Sequence, residues 1–145
     1  MELTTETGRT IDEAEPGELI IGPDGSAFLG VIDEEAATVA GIEAGGICAN
    51  VGAVRHTERG HINEITSSGY FGAAEFIYDV VHNYERIYDG TDGSILLTKY
   101  LGHHHAIAAI ELSQDEAGVY RTKTAWTLRE KKLSKKKLLY VRSEP

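Results

Sequence analysis

The most regular hydrophobic pattern in the chain lies at residues 72–88, GAAEFIYDVVHNYERIY, where Phe76, Ile77, Val80, Val81, Tyr84 and Tyr88 recur at helical spacing. It predicts a helix with a broad apolar stripe. After Asp89-Gly90 and Asp92-Gly93 the period changes. SILLTKYL, AIAAIEL, VYRTKTAWTL and KKLLYVR read as strands, separated by the turn-length segments GHHH, SQDEAG and REKKLSK. Upstream, LII (19–21) and AFLGVI (27–32) flank the turn signal GPDG and predict a short hairpin or two extended pieces. Asp33 offers an N-cap to a helix over EEAATVA, which Gly41 can close in a left-handed conformation. GICANVGAV is apolar and glycine-rich and predicts a buried extended segment, whereas residues 1–17 carry few large apolar side chains and predict a flexible arm. Helices first and strands afterwards predict an α+β domain: amino-terminal helices packed on one face of a four-stranded antiparallel meander.

Composition sets the scale of this picture. With 145 residues, 41% of them hydrophobic, the chain fits one domain spanning 1–145 with its own core. No stretch approaches the roughly 20 apolar residues of a membrane helix, and the amino terminus lacks a charged-then-apolar signal pattern. A cytoplasmic protein with no membrane partner is expected. Cys48 is the only cysteine, which excludes an internal disulfide, and its apolar neighbours suggest a buried, inert thiol. The net charge of −9 hides an asymmetry: residues 1–98 hold 4 Lys/Arg against 18 Asp/Glu, and residues 99–145 hold 10 against 5. A polyanion would be repelled by the first part and attracted by the second. The lysines of REKKLSKKK equally suit a solvated loop and strand edge.

RHTERGHI, residues 55–62, sets two histidines five positions apart. On a helix such residues are separated by about 140° of rotation, which disfavours the shared face that an i,i+4 zinc pair uses. No metal or other cofactor is expected. His61 has Glu58 and Glu64 at i−3 and i+3, either of which can fix its tautomer; it can equally be a cap or a half-buried core residue. In VYRTKTAW, strand alternation places Arg121, Lys123 and Ala125 on one face and Tyr120, Thr122, Thr124 and Trp126 on the other, so that a core Trp126 turns Thr124 towards the helices. Arg121 and Lys123 either cradle a phosphate or solvate the outer face. The triplet His103-His104-His105 reads as a polar hairpin loop, since two ligands from one loop rarely make a metal site without a third.

GHI at 60–62, the helix EFIYDVVHNYERIYDG, SILL, AIAAIEL, YRTKTAW and the closing KKLLYVRS together resemble a phage-associated branch of the barnase/EndoU/colicin/RelE-like nuclease superfamily, over residues 46–143. The resemblance implies helices over a four-stranded antiparallel sheet, and the activity of a metal-independent ribonuclease or nuclease-like effector of a phage or mobile element. Such chemistry needs a base for the 2′-hydroxyl, an acid for the leaving oxygen and a cation or hydroxyl donors for the charge that builds on phosphorus. GHI points to His61, and the end of the pattern to Arg142, as oxyanion stabiliser, and to Ser143. The expected catalytic set is therefore His61, Arg121, Thr124, Arg142 and Ser143, with Lys123, Lys99 and His56 contacting substrate RNA. The alternative is a non-catalytic phage accessory or inhibitor protein that uses the acidic half to bind a host or cognate protein; overall acidity and the absence of a compact His/Lys/Glu motif favour it, whereas the strand-borne Arg/Lys/Thr set favours the nuclease.

Overall fold

The computed structural model describes residues 3–142. In chain order its elements are β1 (Thr4–Thr5), β2 (Ile20–Ile21), β3 (Gly30–Ile32), α1 (Glu34–Ala40), β4 (Gly45–Cys48), α2 (Val51–Ser67), α3 (Ala73–Asn83), β5 (Arg86–Asp89), β6 (Ser94–Tyr100), β7 (His105–Glu111), β8 (Tyr120–Leu128), α4 (Glu130–Leu133) and β9 (Leu138–Val141).

Local chemistry sets several of these boundaries. The Asp33 carboxylate accepts from Ala36 N at 2.8 Å, and Gly41 closes α1 at φ 73°. A second cap divides GICANVGAV: Asn50 accepts from Ala53 N at 2.9 Å, so the extended part stops at Cys48 and the remainder opens α2. Helix α3 ends at Asn83, shorter than the periodicity implies. Tyr84 turns to φ −58°, ψ 145°, and Arg86–Asp89 instead pairs with β6 as a strand. Tyr88 thereby leaves the helical stripe. The two pieces around GPDG do not pair with each other; Ile20–Ile21 pairs with Thr4–Thr5, and Gly30–Ile32 with Gly45–Ile47. The segment expected to be an arm contributes buried Leu3 and Ala14, and Arg55 Nη2 donates to Ala14 O at 2.7 Å.

The four-stranded meander is corrected to a seven-stranded mixed sheet in the order β3-β4-β8-β7-β6-β5-β9. Strand β9 does not follow β8 into the sheet. It crosses to the far edge and pairs with β5, while β4 takes the place beside β8 and runs parallel to it. Helices therefore do not simply precede the sheet; β3 and β4 are woven into it before α2 begins. The sheet curls far enough that Tyr84 Oη, just ahead of β5, donates to Val31 O of β3 at 2.9 Å. Glycine permits one close approach: a Cβ on Gly30 would sit 2.1 Å from Val81 O, so β3 lies directly on α3.

The pleat divides two apolar clusters. On the α3 side, Phe76, Ile77, Val80 and Val81 pack on Ala106, Ala108, Ile110, Ile95 and Leu97. On the other side Ile107, Ala109, Leu96 and Tyr88 are covered by Leu133 of α4, with Trp126 and Leu128 against them.

Strand β8 carries a bulge. Ala109 pairs with Thr124 and Ile110 with Thr122, leaving Lys123 unpaired. The extra residue breaks the strict alternation expected for YRTKTAW: Ala125 joins Tyr120 in the core beneath α3, while Trp126 lies on the opposite face. No helix among the described residues is long and apolar enough to cross a membrane.

Candidate functional site

Only Tyr120 and Arg121 of β8 find partners on β4, so beyond them the edge of β8 is open to α2. An open edge carries unpaired N–H groups. Two side chains of α2 satisfy them. Thr57 Oγ1 accepts from Ala125 N at 3.2 Å, and Glu64 Oε2 accepts from Thr127 N at 3.2 Å. Thr57 and Glu64 are seven residues apart, two helical turns, and thus face β8 from one stripe.

Glu64 is the hub of the site. One carboxylate oxygen also accepts from the Thr127 hydroxyl, and the other pairs with His61 Nδ1. Burial works to raise the Glu64 pKa, but hydrogen bonds from Thr127 and His61 outweigh it and hold the group below the ordinary glutamate range. An ionised Glu64 accepts from Nδ1–H and leaves His61 Nε2 free to take a proton. The imidazole is 36% exposed, and its ring centre is 6.5 Å from that of Trp126.

The next turn of the same helix holds a second imidazole. Ser68 Oγ donates its one proton to Glu64 O at 2.8 Å, so across the 3.0 Å to His104 it accepts from Nε2–H. His104 Nδ1 is the nitrogen left over. Glu64 thus holds His61 through its carboxylate, while its carbonyl fixes the Ser68 hydroxyl that in turn holds His104. Beside these groups opens a cleft of about 880 Å³, lined by Glu64, Ser67, Ser68, His103, His104, Thr127 and the run Leu128–Lys132 with Arg129, Lys131 and Lys132. Of the histidine triplet, His103 and His104 face this cleft, whereas His105 is buried against Glu130.

The expected site residues disperse along and around this seam. His61 is at its centre. Thr124 lies one turn of α2 away, its hydroxyl 3.3 Å from that of Thr57, and it lines a separate cleft of about 380 Å³ with His56, Lys123 and Thr122. Arg121 is exposed beside Cys48, ahead of that cleft. Lys99 is committed elsewhere: it grips both oxygens of Asp79 at 2.8 and 3.0 Å, and Tyr70 and Asn83 complete the network. Arg142 follows β9 at the far edge of the sheet, where it stacks 4.4 Å over Tyr84, donates to Tyr84 O at 3.0 Å and lies 3.8 Å from Asp33. Ser143 falls outside the described residues. Of the two acids flanking His61, Glu64 takes the orienting role; Glu58 faces Asp12 and Arg55, and its pKa is raised, first by burial and then by Asp12.

No match is found for this chain.

That holds for family models, for curated proteins and for solved structures. The reading of the site therefore rests on its own geometry. Sequence reasoning missed Thr57, Thr127, Ser68, His104 and the cations after β8. Thr127 and Ser68 carry no motif. REKK had a visible signal in its charge, and the histidine triplet in its composition, but only the turn between β6 and β7 brings them to α2.

Proposed function

We propose that the chain is a metal-independent endoribonuclease acting at the junction of α2, β8 and α4. The observation that carries this reading is Glu64, which orients the His61 imidazole and lines one cleft together with His104, held by Ser68, and with three cations of the adjoining turn. In the reaction, His61 Nε2 takes the proton of a ribose 2′-hydroxyl. The O2′ attacks the adjacent phosphorus, the P–O5′ bond breaks, and protonated His104 supplies a proton to O5′. Arg129, Lys131 and Lys132 face the charge that grows on the phosphoryl oxygens. The products are a 2′,3′-cyclic phosphate and a 5′-hydroxyl, so no water or metal need enter the first step. The resemblance to the barnase/EndoU/colicin/RelE-like nucleases agrees with this chemistry, and implies an effector of a phage or mobile element, although the sheet is larger than that resemblance implies. Arg121 and Arg142 take no part in the proposed step.

The test is cleavage of end-labelled single-stranded RNA by the purified protein in excess chelator. Cyclic-phosphate ends, and protection by a single 2′-deoxy substitution at the cut, support the reading. Intact RNA refutes it.

A second reading has its own observation. Phe71 is 83% exposed on the rim of an approximately 490 Å³ cleft that also presents Asp12, Glu58, Glu75, Leu3 and Ile11. An apolar anchor among acids suits a basic protein partner. Intact RNA together with loss of partner binding in Phe71→Ala would favour this accessory role.

A further inference from the structure

The two clefts beside α2 lie at successive stations of one seam. Residues 122–124 of β8 line the first, and Thr127 through Lys132 the second. Between them stands Trp126, half-buried on the sheet face opposite α3, with the His61 ring at 6.5 Å. Both clefts open on the same flank of α2: His56 lines one, Ser67 the other, and the exposed Gly60 between them has nothing within 4 Å of where a Cβ would be. Cations mark both ends, Lys123 on the bulge and Arg129, Lys131 and Lys132 beyond β8. Of the acids along this line, Glu130 is held by His105, Glu111 lines the first cleft, and Asp92 lies 3.9 Å from Lys123, both side chains being largely exposed.

Resting on the ribonuclease reading, we infer that these clefts form one trough that binds a single-stranded polynucleotide, with Trp126 as the platform on which a base next to the scissile phosphate stacks. The length is right for such a ligand. From Lys123 to Arg129 the strand runs roughly 20 Å at about 3.3 Å per residue, the span of about six stacked nucleotides at ~3.4 Å each. An aromatic platform flanked by cations is the general solution for single-strand binding, since stacking accepts any base and the cations track the backbone. A duplex does not fit the same role, because its bases are already stacked on one another. The bulge at Lys123 acquires a purpose in this arrangement: it turns the cation out of the ladder and leaves Thr124 and Trp126 to form the floor.

Trp126 is the only tryptophan in the chain, so its emission reports on the trough directly. The probe is a 2′-O-methyl RNA hexamer, which cannot be cut through its 2′-oxygen, titrated alongside the matching trimer and a DNA hexamer. The hexamer should quench Trp126 and bind more tightly than the trimer, with log affinity falling against log salt at a slope of about −2 to −3, as expected for four cations. The DNA hexamer should bind comparably, because stacking and phosphate contacts do not read the 2′-hydroxyl. Trp126→Leu should weaken binding, followed by anisotropy of a labelled hexamer, roughly 5- to 100-fold, and Trp126→Phe should retain most of it. Lys123→Glu, at an exposed bulge, should weaken the hexamer but not the trimer while leaving the fold intact. Unchanged emission at saturation, or equal affinity for Trp126→Leu and wild type, overturns the trough. The two readings separate cleanly: RNA cleaved with a silent Trp126 refutes the trough alone, whereas quenching by the hexamer without cleavage of RNA refutes the ribonuclease and leaves the trough standing.

Discussion

Replacing Thr57 by valine removes one oxygen atom at the place where α2 takes over from β4 as the neighbour of β8. Thr57 is completely buried, and its hydroxyl accepts from Ala125 N at 3.2 Å and lies 3.3 Å from the Thr124 hydroxyl. Valine fills nearly the same volume, so no cavity term enters. What is lost is the partner of a buried N–H, a penalty of about 1 to 3 kcal/mol when a donor is stranded without water. For a domain of this size that lowers the melting midpoint by roughly 3 to 9 °C. Thr57→Ser keeps the oxygen and should lose less. Urea unfolding of the three proteins gives the comparison, with a lower midpoint at constant slope as the signature of a pure stability change. Faster hydrogen exchange at the Ala125 amide in Thr57→Val would place the loss at this edge. A valine variant as stable as wild type, with an equally protected Ala125 amide, refutes the idea that α2 side chains complete the open edge of β8.

Three further outcomes follow from the packing and charges. Phe76 is fully buried in the α3 stripe and meets Tyr70 edge-on at 5.0 Å, so Phe76→Ala should cost about 3 to 5 kcal/mol in denaturant unfolding. Gly30→Ala would drive a Cβ to 2.1 Å from Val81 O and should lower stability by about 1 to 3 kcal/mol through overpacking, measured the same way. Glu64 has its pKa lowered from 4.5 in the fold, so its contribution is complete above that pH and disappears as pH falls through the folded value. The stability difference between wild type and Glu64→Gln should accordingly persist at pH 5 and shrink as pH falls below 4.5, a trend that parallel melting curves would show or deny.

What the sequence discloses and what it hides divide along a physical line. Asp33 and Gly41 act on their own helix, within one turn, and their roles are visible in the order of residues. So is the choice between Glu58 and Glu64 as partners for His61, narrowed to two by helical spacing, although only the position of Thr127 selects Glu64. The segment Arg86–Asp89 has apolar residues that suit a helix or a strand, and β6 decides between them. Trp126 is misplaced by alternation because a single bulge residue, Lys123, shifts the phase of the strand, and nothing local announces a bulge. The partnership of β4 with β8 and the passage of β9 to β5 join residues far apart in the chain, beyond the reach of periodicity. His104 meets Ser68 for the same reason: the contact depends on where the turn between β6 and β7 falls over the end of α2.

In the proposed reaction His61, held by Glu64, moves the proton that starts RNA cleavage. This role is tested most directly by the single-turnover rate of labelled single-stranded RNA cleavage, measured in excess chelator for wild type and for His61→Ala. A positioned acid-base group is worth roughly 10²- to 10⁴-fold. A loss of that size is expected with the melting midpoint nearly unchanged, since the imidazole is partly exposed and its contacts are the bond to Glu64 and the Trp126 ring 6.5 Å away. A His61→Ala protein that cuts RNA at the wild-type rate would contradict that role.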